Sequence, residues 1–228
     1  MALSLIVPSL DSGLAGSARL GLVRAAPVAV GPSSPALESE IETTRAGLAA
    51  AHAGHSPAEI PGLEPARRLY RSFGIDPTRT RPSSEALLRR LLQGKPLPRI
   101  VNAVDLCNLC ALWFLLPIGL YDAETIHGAV TLRRGGAGES YAGVRKEIVH
   151  LEGRPVLSDD EGPFGNPTAD SMRTCVTPAT RSLLMVVFAP AMFPAEELQA
   201  NIRRAATGMQ RYLAPADATV ATETHVIP

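Results

Sequence analysis

The sequence predicts a mixed α/β (α+β) domain with packed helices and several strands in its second half. The first observation is the apolar segment at residues 100–122, where apolar side chains recur at helical spacing from residue 104 to residue 116. The second is the run SLLMVVF at residues 182–188, which is typical of a buried strand. The third is the amphipathic pattern of residues 194–213, which predicts a closing helix.

The helix at residues 104–116 is the centre of the predicted fold. It is apolar on most of its surface, but Asp105 and Asn108 interrupt it, so it is too short and too polar to cross a bilayer. Pro117 ends it, because proline disfavours helical geometry in the residue before it. A buried asparagine needs hydrogen-bond partners, so we interpret Asn108 either as a structural bridge or as part of a site.

The elements predicted before this helix alternate between a strand and short helices. In chain order they are a strand at residues 20–30, an alanine-rich helix at 36–53, a short basic helix at 64–73 and a helix at 85–93. Ser83 or Ser84 is expected to cap the last of these, and Gly94 to end it, because serine favours the first position and glycine the position after the last turn.

After residue 122 the pattern changes to short strands. Residues 129–133 predict one strand, and residues 147–151 with residues 155–157 predict a hairpin around the turn at Glu152 and Gly153. The segment SDDEGPFGNPTADSMR at residues 158–173 is polar and rich in glycine and proline, and predicts a long loop. Loops of this length inside a domain usually carry function.

Length and cysteine content indicate one intracellular domain. We expect a flexible segment at residues 1–15, a single domain at 16–213 and a disordered, Ala/Thr-rich segment at 214–228. Three cysteines are too few for a disulfide framework, and the N-terminal apolar run lacks a basic start, so we expect a cytoplasmic protein with no membrane partner. The pair Cys107 and Cys110 lacks a second pair at metal spacing, so neither a metal ion nor a cofactor is expected.

Charge is balanced over the chain, with 22 basic and 22 acidic residues, but it is not evenly distributed. Residues 64–99 contain nine basic residues against three acidic ones, a local net charge of +6. This asymmetry is compatible with a phosphate-binding face. A solvated arginine-rich surface is the alternative interpretation.

The order of the motifs resembles the B3/B4 domain of the bacterial phenylalanyl-tRNA synthetase β chain. There, Val-Asp-Val-Thr-Asn opens a helix that ends in Gln-Pro-(Leu/Met)-His-Ala-Phe-Asp. Here, VDLCN at residues 104–108 and PIGLYD at residues 117–122 stand at the same separation. The sequences LEG at 151–153 and TRSLL at 180–184 resemble the turn and strand that follow in the family, and GPFGNPTADS at 162–171 resembles a loop of free-standing B3/B4 proteins.

The resemblance implies an editing function. In the synthetase, this domain hydrolyses tyrosine that has been attached to the phenylalanine tRNA, and its α/β fold encloses a pocket for the aminoacyl group. Such a site must position water against an ester, stabilise an oxyanion and read the amino-acid side chain. Backbone amides, hydroxyls and an asparagine can do this without a catalytic triad, with help from the ribose hydroxyl at the end of the tRNA.

The resemblance also assigns roles by position. Cys107 takes the place of the family's threonine and Asn108 that of its asparagine, and we expect both to be catalytic together with Asp170. Gly119 stands where the family has a histidine, and the family's pocket glutamate aligns with Met172. The other expected pocket residues are Asn166, Thr168, Ser171, Arg173 and Thr174. The expected tRNA-binding residues are Arg67, Arg68, Arg71, Arg89 and Arg90.

Two functions remain open. One is a trans-acting editing factor, not a complete synthetase, that hydrolyses the ester of a mischarged tRNA. The other is a non-catalytic B3/B4 module that binds tRNA, another RNA or a free amino acid. The missing histidine and glutamate favour the module, whereas the polar loop and Asn108 favour the deacylase, which is our working hypothesis.

Overall fold

The computed structural model describes residues 6–144 and 147–228 and confirms the predicted mixed α/β class. The helices in these ranges are α1 (Pro35–Ala51), α2 (Glu64–Ser72), α3 (Ser83–Leu92), α4 (Asn102–Phe114) and α5 (Ala195–Tyr212). The strands are β1 (Ser9–Leu10), β2 (Ala18–Ala26), β3 (Ile118–Asp122), β4 (Thr131–Arg134), β5 (Ser140–Ala142), β6 (Ile148–His150), β7 (Pro155–Asp159), β8 (Gly162–Gly165), β9 (Leu183–Pro190) and β10 (Ala221–Ile227). In these ranges, no helix is both long enough and apolar enough to span a membrane.

An antiparallel sheet in the order β10–β2–β9–β3 forms the middle layer. Strand β9 is buried at every residue, in agreement with the apolar run that predicted it. Its side chains alternate between the two faces of the sheet because successive residues of a strand point to opposite sides. Met185 and Val187 pack with the helices, whereas Val186 and Phe188 pack with the second sheet.

The second sheet has the order β1–β4–β7–β8 and covers one face of the first sheet. Leu157 and Phe164 from this sheet share a hydrophobic cluster with Leu22 of β2. On the opposite face, Leu106 of α4 and Ile202 of α5 belong to the cluster that contains the other side of β9. The result is three layers, with α4 and α5, the first sheet and the second sheet in that order, while Leu69 of α2 joins the cluster on the side of the second sheet.

Helix α4 is fixed at its start by polar side chains that bind the chain before α1. The Asn102 side-chain oxygen accepts from the Gly31 amide at 3.0 Å, and its nitrogen donates to the Ala29 carbonyl at 2.9 Å. Asp105 accepts from the Ser33 hydroxyl at 2.7 Å and from the Ile100 amide at 2.9 Å. These bonds satisfy two buried polar side chains and set the position of the helix against the rest of the core.

The pairing of the short strands corrects two sequence-based expectations. Strand β6 pairs with β5 and not with β7, so the hairpin predicted around Glu152 and Gly153 is wrong. Strand β7 pairs instead with β4 and with β8, and β8 lies inside the segment predicted as a long loop. Strand pairing depends on distant partners, which the local pattern of residues 147–173 does not contain.

The ends of the described chain are also more ordered than expected. The segment predicted to be disordered after residue 214 contains β10, which pairs along its whole length with β2. In the N-terminal segment, Ser9 and Leu10 form β1 and pair with β4, whereas residues 1–5 lie outside the described ranges. Pro82, and not a serine, precedes α3, and it makes no side-chain capping bond.

Candidate ligand-binding cavity

A cavity of about 640 Å³ lies between α3, α4, the edge strand β3 and the loop after β8. Its volume is in the range of small-molecule binding sites. Apolar side chains of α4 and β3 form much of the wall, among them Val104, Ala111, Ile118 and Leu120. Its polar lining consists of Ser83, Cys107, Asn108, Glu147, Thr168, Asp170 and Cys175.

Helix α4 brings two of the predicted catalytic residues to the cavity. Cys107 and Asn108 follow the anchored first turn of the helix and both line the wall. Burial raises the pKa of the Cys107 thiol well above its ordinary value, and Cys110 and Asp170 add to the effect. The thiol is therefore not an ionised nucleophile at neutral pH. In the part of the chain that the structure describes, no three metal-ligating side chains cluster together.

The third predicted catalytic residue, Asp170, also lines the cavity and is half-buried. A backbone bridge to Gly165 places it beside the end of β8, and the Val144 amide donates to its carbonyl at 3.1 Å. Its Oδ1 atom is buried and has no hydrogen-bond partner of normal geometry among the described residues. Burial raises the pKa of Asp170 to about 7, although the Tyr121 hydroxyl and the Leu120 amide act in the opposite direction.

Tyr121 lies behind Asp170 and is the site residue that sequence reasoning missed. Its ring is fully buried and packs edge-on against Phe164, with 5.1 Å between the ring centroids. A Cβ atom at Gly119 or at Gly165 would overlap the Tyr121 ring and hydroxyl, so two glycines make room for this side chain. The sequence contains a signal for this role, because Tyr121 stands where the family has a phenylalanine. A buried tyrosine hydroxyl needs a polar neighbour, so the difference indicates a polar group next to this position.

The loop that carries Asp170 is fixed by hydrogen bonds. The Asn166 side-chain oxygen accepts from the amide and the hydroxyl of Thr168 at 2.8 and 2.6 Å, and from the Ala169 amide at 2.9 Å. The Tyr70 hydroxyl donates to the Pro167 carbonyl at 2.7 Å. The loop therefore presents Thr168 and Asp170 to the cavity, while Asn166 holds the turn from behind.

The remaining residues predicted for the pocket lie outside its wall. The hydroxyls of Ser171 and Thr174 are buried and lie 3.2 Å apart. Arg173 forms a two-point ion pair with Asp159, at 2.8 and 3.0 Å, and donates to the Thr125 carbonyl at 3.0 Å. Gly119 also lies outside the wall, where the Tyr121 side chain covers it. These residues support the loop and do not reach the cavity.

The arginines predicted to bind tRNA fall into two groups. Arg67 donates to the buried carboxylate of Glu85 at 2.9 Å, Arg89 lies 3.6 Å from the same carboxylate, and Arg71 pairs with Glu64 at 2.8 Å. The exposed Arg68 and Arg90 have no carboxylate partner among the described residues. Helix α3 contributes Ser83 to the cavity as well as Arg90 to the surface, so it joins the basic segment to the cavity wall.

The comparisons with known proteins identify the family. The B3/4 domain model matches residues 65–221, a range that contains every residue lining the cavity, and the chain belongs to this family. This confirms the resemblance that the motifs indicated. Among solved structures, an N-terminal fragment of the phenylalanyl-tRNA synthetase β-subunit from Pyrococcus horikoshii is similar at 15% identity and a TM-score of 0.44. The match covers 90% of this chain and 49% of that one, so this chain spans about half the length of the fragment. A comparison with curated proteins gave no match.

Proposed function

We propose that the protein is a trans-acting editing factor that hydrolyses the ester of a mischarged aminoacyl-tRNA. The observation that carries this proposal is the cavity in which Asn108, Thr168 and Asp170 converge on apolar walls. Membership of the B3/4 domain family supports it, because the motifs that build this cavity are the ones that resemble the editing module. The fold alone does not define an activity, so the proposal rests on the site.

The reaction would be a simple ester hydrolysis. Water adds to the carbonyl carbon, the bond from that carbon to the ribose oxygen breaks, and the products are a free amino acid and a tRNA with a free terminal hydroxyl. The Asn108 amide, on the rigid helix α4, would orient the water or donate to the developing oxyanion. The Cys107 thiol, whose pKa is raised, would form part of the wall and would not attack the ester.

The basic segment would supply the contact with tRNA phosphates. Arg68 and Arg90 are exposed and free of carboxylate partners in the described residues, so they are better placed for this than Arg67, Arg71 and Arg89. We expect Arg90→Ala to reduce the salt dependence of tRNA binding by about one released counterion. A smaller effect is expected for Arg71→Ala, because Glu64 already neutralises that charge. Filter binding at several salt concentrations measures both slopes.

The test of hydrolysis is a panel of correctly charged and mischarged tRNAs, assayed with the wild type, Asn108→Ala and the matched control Asn201→Ala. Asn201 lies on α5 and does not line the cavity. We expect release from one mischarged species well above the spontaneous rate, lost in Asn108→Ala and kept in Asn201→Ala. If no species is cleaved faster than it decays without protein, the deacylase proposal is wrong.

One observation favours the second candidate, a non-catalytic module that binds tRNA, another RNA or a free amino acid. The cavity lining contains no histidine among the described residues, and one of its two cysteines, Cys107, is held as a thiol. A module of this kind would bind charged tRNA in the same panel with a salt-dependent affinity, and would leave the ester bond intact.

A further inference from the structure

Among residues 6–144 and 147–228, the charged side chains that line the cavity are of one sign. Among the described residues that line it, the charged side chains are those of Asp170 and Glu147. Glu147 is exposed at the mouth, where water screens its charge. Asp170 is less exposed than Glu147, and burial raises the pKa of its carboxyl group, so its charge would act on a bound ligand with less screening by water.

Asp170 also has unused hydrogen-bonding capacity. Its Oδ1 atom is buried without a partner of normal geometry, and the Tyr121 hydroxyl behind it is buried in the same way. The Tyr121 hydroxyl and the Leu120 amide act on the carboxyl group from behind, and a donor supplied by a ligand would add a charge-assisted hydrogen bond on the side that lines the cavity. The rigid loop, held by Asn166 and Tyr70, keeps the carboxyl group in position before any ligand binds.

The apolar part of the wall indicates the chemistry of the rest of the ligand. Val104, Ala111, Ile118, Leu120 and Val176 surround the space next to Asp170 with apolar surface. A ligand that fits both features has a donor with positive charge at one end and an uncharged apolar group beside it. An α-amino acid with an apolar side chain, joined through its carboxyl group so that it carries no negative charge there, has this structure.

We propose that Asp170 binds the α-ammonium group of an apolar aminoacyl ligand, and that the protein thereby rejects ligands whose amino group is acylated. The proposal rests on the proposed function in that the ligand is an aminoacyl group. It adds the chemical class of the side chain and the group that is recognised. Tyr121 is a positioning residue in this scheme, since it contacts Asp170 from behind and does not line the cavity.

The test uses direct binding, so that it is independent of hydrolysis. The probes are L-leucinamide, L-methioninamide and L-phenylalaninamide, which carry the ammonium and the apolar side chain without a carboxylate, and their N-acetyl derivatives, which lack the positive charge. Binding to the full chain is measured by titration calorimetry for the wild type, Asp170→Asn and the control Glu196→Gln, a residue that is exposed on α5 and does not line the cavity.

We expect at least one amide to bind the wild type, and its N-acetyl derivative to bind at least about tenfold more weakly, the effect of losing one charge-assisted hydrogen bond. Asp170→Asn should lose affinity for the amide by a similar factor while its unfolding transition stays cooperative. Glu196→Gln should bind within about twofold of the wild type, because this charge is exposed and lies outside the cavity. The proposal is overturned if no amide binds, if acetylation has no effect, or if Asp170→Asn binds as tightly as the wild type.

The outcomes separate this inference from the deacylase proposal. Binding of an amide that depends on Asp170, with no tRNA ester cleaved, would support ammonium recognition and remove the hydrolytic activity. Hydrolysis of a mischarged tRNA that proceeds equally with and without an N-acetyl group, after correction for the spontaneous rates, would keep the deacylase and overturn ammonium recognition.

Discussion

Replacing Asp170 with asparagine is expected to make the protein more stable at pH 8 and to leave its stability almost unchanged at pH 4. Asparagine keeps the shape of the side chain but cannot ionise. The reason for the effect is burial, which raises the pKa of the folded-state carboxyl group from the ordinary value of 3.8 to about 7. The substitution removes the need to place a negative charge in this environment.

The sign and the size of the effect follow from the two pKa values. Well below pH 3.8 the carboxyl group is protonated in both the folded and the unfolded chain, and even at pH 4 its cost is only about 0.5 kcal/mol. As the pH rises toward 7, the unfolded chain gives up the proton and the folded protein keeps it, so stability falls. Each pKa unit corresponds to about 1.4 kcal/mol, which gives an upper bound of about 4 kcal/mol above pH 7. Water that enters the cavity reduces this amount, since Asp170 is partly accessible.

Urea unfolding of the wild type and Asp170→Asn between pH 2 and pH 9 measures the difference. Asp159→Asn is a control of opposite sign. Burial raises the pKa of Asp159, but the hydrogen bonds from Arg173 and the His127 amide outweigh it, and the net pKa is lowered. Asp159→Asn should therefore be less stable than the wild type at neutral pH, and the difference should shrink as the pH falls through the lowered pKa. The reasoning is refuted if Asp170→Asn gains no stability at pH 8, or gains as much at pH 4.

Two further substitutions test the packing around the site, each by urea unfolding against a matched control. Gly119→Ala should destabilise the protein by about 1–3 kcal/mol, because the new methyl group overlaps the Tyr121 side chain. Its control is Gly47→Ala, in the open middle of α1, which should stabilise the protein by about 0.5–1 kcal/mol because alanine favours the helix over glycine. Equal effects would contradict the packing of Tyr121. Glu85→Gln should lower the free energy of unfolding by about 3 kcal/mol, because it removes the buried carboxylate around which arginines are arranged. Its control is Glu64→Gln, at an exposed ion pair, which should lower the free energy of unfolding by less than about 1 kcal/mol. If Glu85→Gln destabilises the protein no more than Glu64→Gln does, the buried ion-pair cluster does not contribute to stability.

The helices could be predicted from the sequence because their signals are local. Helix α4 begins two residues before the predicted start and ends two residues before the predicted end, since its periodicity and Pro117 are both contained in the segment itself. The strand pairs could not be predicted in the same way. The partner of β6 is β5 and the partner of β10 is β2, which lies almost 200 residues earlier in the chain. Nothing in residues 214–228 alone indicates that β2 leaves an edge for them.

The residues that line the candidate cavity could be predicted in part for a similar reason, whereas their roles stay predictions. The order of the motifs brought together Cys107, Asn108 and Asp170, and the structure places all three at one cavity. It did not show that Arg173 pairs with Asp159 and points elsewhere, because both residues are polar and lie on the same glycine-rich segment. The arginine cluster at Glu85 was hidden too, since Arg67 and Glu85 are 18 residues apart and belong to different helices.

The structure changes the interpretation of Gly119. From the sequence it is a position where the family's histidine is missing, which indicates a lost polar group on β3. In the structure, the volume next to Gly119 belongs to the Tyr121 side chain, which also requires Gly165 on β8. The polar group nearest to this position is therefore the Tyr121 hydroxyl, which lies behind Asp170. Recognition then depends on the carboxyl group of the loop, and β3 contributes only Ile118 and Leu120 to the wall. A wall of this kind suits a ligand whose side chain is apolar. The amino group of the ligand is then the polar group that Asp170 can bind.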